Sequence, residues 1–354
     1  MQHQVFVIGS ASVAAWLPEF CGPSGPETLF TVPSGCAELI AVAQQRRVRE
    51  FVFVSDHATL ARDRSWAVEL RRLGHRVRCQ SPAAVGLAQD KAAMKRELEL
   101  AGVPTLPWRT HDEYSPGWPG ASGAVVLKQR SGTQSEGIRI GTAVERPEPD
   151  EYSEVYQEGI EYSVNVFARS GEAVVLPPVW KGPTSQELVP PWRRTRICAP
   201  GTADHALART LRLIARRIAA FFDADGFMEI EYLVREDGEV VVLEVNPRVS
   251  GTLRISALAA ARPVFSWYAD MPADPVAAAV ACAVEVPNRG RQLMLPSLGL
   301  FATSRITVAG ANPDDLAARI ARLREIGALD RATTNLLNEA LGTLRAPLPD
   351  LVGN

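Results

Sequence analysis

The sequence has few of the features that mark membrane, secreted or nucleic-acid-binding proteins. No apolar run in its 354 residues approaches the ~18 residues that span a bilayer, and the N-terminus lacks the basic segment of a signal peptide. The formal net charge of -2 provides no basic surface for nucleic acid or an anionic membrane. The 5 cysteines are an odd number without CxxC spacing, so we expect reduced thiols in a cytoplasmic protein.

The order of apolar segments predicts an α/β protein, and the length of the chain allows two or three domains. Strands at 4–8 and 51–55 alternate with helices over residues 1–88, which favours a small parallel sheet covered by helices. The Pro- and Gly-rich stretch 18–34 is interpreted as an extended connection. The turn at 9–12 is not a GxGxxG sequence, so a dinucleotide site is poorly supported.

Later stretches give further expectations about the fold. Residues 142–154 are acidic and contain proline, which predicts a connection on the surface. A helix is expected near 275–285, followed by strands in LGLFAT and RITVA. Two helices should end the chain, one from Pro313 to Ile326 with Asn312 as its cap and one at 331–345.

A hairpin at 226–254 carries the most informative pattern. Two alternating runs, MEIEYLV and EVVVLEV, flank an Asp-Gly pair, the strongest short-range hairpin signal. With Asp237-Gly238 as a two-residue loop, Glu231 faces Glu244 and Glu229 faces Asn246. The predicted core-facing pairs are Ile230 with Val245, Tyr232 with Leu243, and Val234 with Val241.

The opposed carboxylates suggest a cation site. Directly opposed carboxylates have Cβ atoms roughly 5 Å apart and repel each other, and a cation between them would reverse the sign of that interaction. The simpler interpretation is an amphipathic hairpin with a solvated acidic face. Leu233 and Val242 share this face, so it is not expected to be wet along its whole length. Mg²⁺ is commonly held by one or two carboxylates plus substrate phosphates, which predicts a nucleotide nearby.

Two stretches upstream could bind phosphates. Asp90 can cap a helix that begins at Lys91 and stops at Gly102, although Lys91 and Lys95 would ordinarily lie on a solvated helix face. A strand at 125–128 delivers Lys128 into a loop of small residues whose backbone N–H groups could face phosphate oxygens. The loop has neither GK[ST] nor a following helix, which counts against a Walker-type site.

Taken in order, these stretches resemble the ATP-grasp ligases. LEVNPRVSG after an IEY strand looks like the metal-binding end of that family, QDKAAMKRELELAGVP like its first helix, and VVLKQRSGTQSEGIRIG like its flexible loop. With the strand IEYSV, the resemblance covers roughly 88–256. It implies an α+β ATP-grasp fold with a preceding α/β domain at 1–88, a small subdomain at 89–160 and a large subdomain at 161–354.

The resemblance also implies roles for individual residues. The implied metal ligands are Glu231, Glu244 and Asn246. The implied catalytic residues are Arg248, Lys128 and Lys91. The two lysines would also bind the nucleotide, together with Ser131, Gly132, Ser135 and Gly137 of the loop, Gln157, Glu158 and Ile160 of the adenine hinge, and Glu161 on the ribose. The substrate candidates are Arg248, Ser250, Gly251, Arg196 and Lys181.

Other interpretations of the basic residues stay open. Lys181, Arg193, Arg194 and Arg196 belong to a stretch rich in Pro, Trp and Arg, which is equally well interpreted as a solvated basic loop. Gln129 stands where members of the family often have proline, and Glu229 stands where D-Ala-D-Ala ligases have arginine. The second difference places the chain nearer to the branch with an NPR motif.

The activity implied by the resemblance is ATP-dependent ligation of a carboxylate and an amine through an acyl phosphate, with ATP and Mg²⁺, or Mn²⁺ in its place, as cofactors. The expected partners are the small-molecule carboxylate and amine, with no nucleic acid or membrane, and the family includes homodimers. Two alternatives are a nucleotide-binding regulatory module without turnover and carboxyphosphate chemistry on bicarbonate.

Overall fold

The computed structural model describes residues 4–10, 13, 28–45, 48–115, 118, 123–132, 137–142, 144–200, 205–262, 264, 267, 280–290 and 292–345. Within these ranges the chain forms three β-sheets connected by helices. None of the helices in these ranges combines the length and the apolar character that a membrane crossing needs.

The N-terminal sheet is parallel, as predicted from the alternation of strands and helices. Its strands, in the spatial order β2-β1-β3-β4, are β1 (Gln4–Gly9), β2 (Thr28–Thr31), β3 (Val48–Val54) and β4 (Val77–Arg78). Helix α1 (Cys36–Gln45) connects β2 to β3, and helix α2 (Leu60–Arg72) connects β3 to β4.

Strand β2 corrects part of the interpretation of 18–34 as an extended connection. Thr28–Thr31 pairs with β1 along one side only and forms the edge of the sheet. A four-residue edge strand needs one partner and no long apolar run, so composition alone did not indicate it. Residues 18–27 lie outside the described residues.

A second sheet is antiparallel and follows two helices. The helices are α3 (Pro82–Gln89) and α4 (Lys91–Leu100). The strands, in the spatial order β5-β8-β6-β7, are β5 (Trp108–Thr110), β6 (Ala124–Gln129), β7 (Arg139–Thr142) and β8 (Glu151–Val155).

Strand β8 shows that the prediction of a surface connection at 142–154 is wrong for residues 151–154. Glu151 and Glu154 lie on this strand and are buried. Arg139 pairs with Glu151, and two lysines pair with Glu154, so the acidic residues are neutralised inside the protein instead of by water. Acidic composition indicates solvent exposure only where no cations are packed nearby.

The third sheet has 10 strands and holds the hairpin at one edge. Its path runs β14-β13-β9-β11-β12-β15-β18-β17-β16, with β10 paired to β9. The strands are β9 (Ile160–Arg169), β10 (Glu172–Val175), β11 (Val179–Pro183), β12 (Arg196–Cys198), β13 (Gly226–Val234), β14 (Val240–Asn246), β15 (Cys282–Pro287), β16 (Leu293–Leu295), β17 (Leu300–Ala302) and β18 (Arg305–Gly310).

Helices cover this sheet and form its cores. Helix α5 (His205–Phe221) supplies Leu211 and Ile218 to the core of the hairpin region, and helix α4 supplies Met94 and Leu98 to the same core. Helix α6 (Leu253–Ala260) follows the hairpin. Helices α7 (Pro313–Glu325) and α8 (Arg331–Arg345) pack on β15 and β18 and confirm the two predicted C-terminal helices.

The prediction of a helix near 275–285 is wrong where the structure describes that stretch. Residues 282–285 belong to strand β15, which pairs with β12 and β18 in the interior of the sheet. A strand buried on both faces has a continuous apolar sequence, and such a run does not distinguish a strand from a buried helix. Residues 275–279 lie outside the described residues.

The hairpin has the predicted pairing at the carboxylates but not at the turn. Glu231 pairs with Glu244, Ile230 with Val245 and Glu229 with Asn246, as predicted. The loop is one residue longer than predicted: Arg235 N–H bonds to Glu239 O (2.9 Å), leaving Glu236, Asp237 and Gly238 as the loop. Gly238 has φ +82°, the left-handed conformation that this loop requires.

The predicted pairs nearer the turn are consequently wrong by one position. Tyr232 pairs with Val242, Leu233 with Val241 and Val234 with Val240. The register shifts between Glu231 and Tyr232, where Leu243 is an extra residue on β14. The longer loop and this β-bulge each shift the pairing by one residue in opposite senses, so the carboxylates still face each other.

Candidate functional site

The hairpin and the second sheet enclose a cavity of about 310 Å³, referred to as the first cavity. Its lining combines an apolar floor with charged side chains. The apolar floor is built by Leu106, Val126, Ile138, Leu233 and Leu243. The charged side chains are Lys91, Lys128, Glu154, Glu161, Lys181, Arg194, Glu231 and Glu244.

The β-bulge explains why the floor and the carboxylates are adjacent. Val242 and Val245 both belong to the core behind the hairpin, whereas Leu243 and Glu244 between them both line the first cavity. In an unbroken strand, consecutive side chains point to opposite faces. The extra residue turns two neighbours towards the same cavity, which is the usual effect of a bulge beside a functional site.

Charged side chains of alternating sign run along one wall of the first cavity. The Arg194 guanidinium lies 2.5 Å from a Glu161 oxygen, and Lys181 Nζ lies 3.5 Å from the other Glu161 oxygen. Lys181 also donates a 2.7 Å hydrogen bond to Glu231. Beyond the facing pair, Lys91 Nζ lies 3.3 Å from Glu244. Each carboxylate along this wall therefore has a cation beside it.

The protonation of Lys181 and Glu231 follows from this arrangement. Burial alone would raise the pKa of the Glu231 carboxyl, but Lys181, with smaller contributions from Arg196 and Arg194, lowers it below its ordinary value. Burial alone would lower the pKa of Lys181, but Glu231 and Glu161 raise it. Both shifts favour the charged forms. A cation bound by Glu231 would therefore have to compete with the buried Lys181–Glu231 ion pair.

Helix α4 places Lys91 at the mouth of the first cavity. The Asp90 side chain accepts hydrogen bonds from the N–H groups of Ala92 (2.9 Å) and Ala93 (3.1 Å), so it caps the helix as predicted. Lys91 N–H donates to Arg130 O (2.8 Å), which ties the start of the helix to the loop after β6.

Lys95 does not lie on a solvated helix face, and that expectation is wrong. Its side chain is 0% exposed, and Nζ donates to Glu154 and to Val242 O (3.1 Å). Glu154 also accepts a hydrogen bond from Lys128, so one buried carboxylate contacts two lysines. Buried Ala92 and Leu98 lie three residues on either side of Lys95, a spacing that marks the inward face of a helix and could have indicated its burial.

The facing carboxylates and Asn246 offer only oxygen ligands. Within the described ranges, no group of three or more His, Cys, Asp or Glu side chains is arranged to hold a metal ion. Two carboxylates and an amide oxygen fit Mg²⁺, which usually takes one or two carboxylates and completes its shell with phosphates and water. The residues present therefore fit a magnesium ion shared with a phosphate ligand.

A buried hydrogen-bond network orients Asn246. Its Nδ2 donates to Glu229 (3.3 Å), and its Oδ1 accepts from Arg248 (2.8 Å). The other oxygen of Glu229 accepts from Thr252, whose Oγ1 in turn accepts from Asn165 (3.0 Å). Since Nδ2 is held by a carboxylate, the amide oxygen is directed away from Glu229, where it meets the Arg248 guanidinium. The prediction from sequence did not include this role of Glu229.

A second cavity of about 590 Å³ adjoins the first. Glu231 and Glu244 line both cavities, so the facing carboxylates form part of their common wall. The N-terminal sheet contributes Asp56, His57 and Ala58 to the second cavity. The C-terminal strands and the NPR segment contribute Arg196, Arg248, Ser250, Gly251, Arg254, Glu285 and Arg305.

The arginines of the second cavity differ in how many donors they have left. Arg305 donates to Glu285 (2.5 Å), Pro191 O (3.2 Å) and Trp192 O (2.7 Å) and is thereby committed to the protein. Arg196 donates to Gly251 O (3.0 Å) and Glu285 (2.8 Å), and Arg248 donates to Asn246. Among the described residues, the buried Nε atoms of Arg196 and Arg248 have no hydrogen-bond partner. These two arginines have donors available for an anion.

Most of the predicted site residues come together around the two cavities. Lys91, Lys128, Gln157, Glu161, Lys181, Glu231 and Glu244 line the first, and Asn246, Arg248, Ser250, Gly251 and Arg196 line the second. Glu158 and Ile160 line a different surface depression beside the hairpin turn, so their side chains do not reach the first cavity. Ser131, Gly132 and Gly137 are exposed and are not part of either lining, and Ser135 lies outside the described residues.

Comparison with known proteins identifies the domain that these residues form. Residues 88–252 match the model of a protein family described as the ATP-grasp domain. Residues 88–252 form an ATP-grasp domain. The match contains all three lysines of the first cavity and the whole hairpin, so the resemblance drawn from the sequence motifs is confirmed.

One curated relative matches part of the chain. It is a carbamoyl-phosphate synthase from Methanobrevibacter smithii, 28% identical over 180 residues. The alignment covers 48% of this chain and 48% of the relative, so the chain spans about half the length of that protein.

Solved structures share the ATP-grasp fold over nearly the whole chain. The biotin carboxylase domain of 2-oxoglutarate carboxylase from Hydrogenobacter thermophilus, solved with MgADP, ADP and bicarbonate, has a TM-score of 0.66 at 13% identity and covers 92% of this chain and 90% of its own. An L-amino acid ligase from Bacillus licheniformis has a TM-score of 0.62 at 14% identity and covers 92% and 98%. N5-carboxyaminoimidazole ribonucleotide synthetase from Thermotoga maritima has a TM-score of 0.59 at 17% identity and covers 92% and 98%. At such identities the likeness establishes the fold.

Proposed function

We propose that this chain is an ATP-dependent ligase that joins a carboxylate to an amine through an acyl phosphate. The observation that carries the proposal is the wall common to the two cavities, where Glu231 and Glu244 face each other. One side of this wall suits a nucleotide, and the other side suits an anionic substrate. A phosphoryl group held at the wall could pass from the first cavity to the second.

The first cavity has the parts that a purine nucleotide requires. Its apolar floor offers Leu233 and Leu243 to a flat base, and Gln157 lies at the rim. Glu161 would accept hydrogen bonds from ribose hydroxyls, and Lys91 and Lys128 would supply positive charge for the phosphates. Glu231, Glu244 and Asn246 would hold Mg²⁺, which would neutralise charge on the phosphate oxygens during transfer.

The second cavity would hold the carboxylate substrate against the γ-phosphate. Arg248 and Arg196 have free donors there and would hold the substrate carboxylate in place. A carboxylate oxygen attacks the γ-phosphorus and ADP leaves. The amine nitrogen then attacks the acyl carbon, phosphate leaves with the former carboxylate oxygen, and the amine loses a proton. Positioning and neutralisation of charge contribute most to such a transfer.

The chemistry of the second cavity favours small zwitterionic substrates such as amino acids. Arginine side chains and the carboxylates of Asp56, Glu229 and Glu285 line the same space. A substrate with both an ammonium and a carboxylate group would find side chains of each sign, whereas an apolar acid would offer no group to the carboxylates.

A second candidate, carboxyphosphate chemistry on bicarbonate, is favoured by the comparisons. The curated relative is a carbamoyl-phosphate synthase, and the similar biotin carboxylase domain was solved with bicarbonate. Bicarbonate is itself a small carboxylate, so the same arginines would serve it. The cavity of about 590 Å³ is large for an ion of this size, which favours the larger organic acid.

A nucleotide-binding module without turnover is the third alternative. Lys91, Lys128, Glu231, Glu244 and Arg248 are all present in the two cavities. A module that only binds nucleotide would not need the facing carboxylates or an arginine with free donors on the substrate side.

The test is phosphate release from ATP, measured with magnesium or manganese over pairs of amino acids and amines and with bicarbonate. Ligation predicts release that requires both members of a pair, together with a product whose mass equals the sum of the pair minus water. Release that depends on bicarbonate alone would support the second candidate. Nucleotide binding without release under any of these conditions would support the module and contradict the proposed ligase.

A further inference from the structure

Three charged side chains form a buried cluster beside the first cavity. Glu154 is 1% exposed, and its two carboxylate oxygens accept hydrogen bonds from two different lysines. Lys95 is 0% exposed and lies behind Glu154, away from the cavity, whereas Lys128 is 16% exposed and lines the cavity. The cluster therefore has an inner cation, a shared carboxylate and an outer cation.

The inner cation is fixed by three elements that meet at this point. Lys95 belongs to helix α4, its carboxylate partner belongs to β8 of the second sheet, and its carbonyl partner, Val242 O, belongs to β14 of the hairpin. Val242 also receives a backbone hydrogen bond across the same junction, from its own N–H to Pro104 O (2.8 Å). Lys95 is bound at this junction and is not part of the lining of the first cavity.

Burial lowers the pKa of Lys95, and Glu154 opposes that shift. With both lysines protonated, the three side chains carry more positive than negative charge. One carboxylate can compensate one lysine, so two lysines on Glu154 leave one unit of positive charge, and only Lys128 can present it to a ligand. Burying uncompensated charge is costly, and an anion in the cavity would remove that cost. The polyphosphate of a nucleotide is such an anion.

We propose that Lys95 is a positioning residue for nucleotide binding: by engaging one oxygen of Glu154, it keeps that carboxylate from neutralising Lys128 fully. Lys128 is then held in place by Glu154 and still has charge to offer to phosphate. The inference rests on the proposed function, since it assumes that the ligand of the first cavity is ATP.

The proposal predicts that ATP affinity follows the net charge of the cluster. Lys95→Met removes the inner cation and leaves a neutral Lys128–Glu154 pair, so ATP should bind about tenfold more weakly than to the wild type. Adding Glu154→Gln to Lys95→Met removes the carboxylate as well, and affinity should return to within about threefold of the wild type. Glu154→Gln alone leaves two lysines and should bind ATP at least as tightly as the wild type.

The experiment measures dissociation constants for ATP with magnesium by titration calorimetry on the full chain, with thermal unfolding of each variant recorded alongside. Arg96→Met is the matched control, because Arg96 is the next residue of the same helix and pairs with Glu113 (2.9 Å) on the exposed side. It should bind ATP like the wild type.

The outcomes separate the proposal from a structural role and from failure of the proposed function. A double variant that binds ATP as weakly as Lys95→Met, or more weakly, would show that Lys95 only supports the fold and would overturn the proposal. If Lys95→Met does not fold, Glu154→Gln and the double variant still test the proposal. Affinity for ATP should follow the net charge of the cluster, so tenfold weaker binding of ATP by either variant than by the wild type would contradict the proposal. A folded wild type that does not bind ATP would instead overturn the proposed function.

Discussion

Each of the two facing carboxylates has its own lysine, and this governs what a substitution at the pair should do. Glu231 bonds to Lys181, and Glu244 lies 3.3 Å from Lys91. The repulsion expected from two opposed carboxylates is thus largely compensated within the protein. Removing one carboxylate would relieve some repulsion but would also leave a lysine without its partner, so the two effects oppose each other.

Glu244→Gln should therefore abolish metal-dependent turnover with little effect on stability. We expect the rate with ATP and magnesium to fall about a hundredfold or more, the loss typical when one group that stabilises transition-state charge is removed. The free energy of unfolding should change by less than about 1 kcal/mol, because the Lys91–Glu244 pair is partly exposed. Glu236→Gln, an exposed position on the loop of the same hairpin, is the control. Turnover near that of the wild type would refute the metal assignment.

Glu229 acts on the same site through Asn246. In Glu229→Gln the side chain keeps one acceptor and gains an N–H group that faces either Asn246 Nδ2 or the Thr252 hydroxyl, both of which are donors to it. We expect the free energy of unfolding to fall by about 1–3 kcal/mol, the cost of a buried polar group left unpaired. The magnesium concentration for half-maximal activity should rise, because the amide is no longer oriented.

The measurement for Glu229→Gln is a urea unfolding curve together with a magnesium titration of activity. Glu172→Gln, on the exposed end of β10, is the matched carboxylate-to-amide control. If stability falls while the magnesium requirement stays unchanged, Glu229 supports the fold and does not orient the ligand.

At the scale of elements, the sequence pattern predicts only some of the strand pairs of the hairpin. The prediction of the facing carboxylates is confirmed, whereas the predicted loop is one residue too short and the predicted strand lacks the bulge. A count along regular strands cannot reveal a bulge, because Leu243 is as apolar as the valines that precede it. The pairing was right at the site because the alternation of residues 228–231 and 244–246 is unbroken there.

The buried charged residues of the site could not be predicted from the sequence. Glu154 meets Lys128 and Lys95, which lie 26 and 59 residues away in the chain. No local pattern connects residues at such separations, so the polarity of Glu154 and of Lys95 predicts solvent exposure for both. The motifs around Lys91, Lys128 and Asn246 were recognisable because their neighbours along the chain share the role.

The bulge yields a prediction about deletion. Without Leu243, Val242 and Glu244 become consecutive residues of β14, opposite Tyr232 and Glu231, and the side chains alternate regularly between the two faces. We therefore expect the ΔLeu243 variant to fold with its carboxylates still opposed. It should bind ATP more weakly, because an apolar side chain is missing from the cavity floor. Leu243→Ala, which keeps the bulge and loses most of the same side chain, is the comparison.

Both variants should show weaker ATP binding and retain metal-dependent turnover at saturating ATP. Calorimetric titration and a turnover assay on the two proteins supply the measurement. Loss of turnover in ΔLeu243 alone, with Leu243→Ala active, would mean that the bulge itself holds the carboxylates in register, contrary to this prediction.

At the scale of the whole molecule, the C-terminal strands are linked to the nucleotide side by one buried cluster. Glu285 on β15 accepts hydrogen bonds from Arg196, Arg305 and Thr307. Arg305 also donates to Pro191 O, Trp192 O and Arg194 O, and it thereby holds the segment that presents Arg194 to Glu161. A change at Glu285 should consequently be felt in the first cavity, although Glu285 does not line it.

This cluster also gives the acid sensitivity of the fold a definite sign. Burial alone would raise the pKa of Glu285, but Arg196 and Arg305 lower it below the ordinary value of 4.5. The unfolded chain therefore takes up the proton first, and the stabilisation is complete above about pH 4.5 and is lost as pH falls through the lowered pKa. The lowered pKa values of Glu154 and Glu231 act in the same sense. Burial raises the pKa of Asp63, which opposes them.

Glu285→Gln should be less stable than the wild type at pH 7 by about 3–5 kcal/mol, because Arg196 and Arg305 keep their buried charges without the carboxylate. The stability difference between the two proteins should shrink as pH falls from 5 towards 3, since protonation neutralises Glu285 in the wild type. Denaturant unfolding over this range measures both quantities, and Glu325→Gln, at an exposed carboxylate on α7, should follow the wild type throughout. Parallel curves for wild type and Glu285→Gln would show that folding does not shift the pKa of Glu285, which contradicts this prediction.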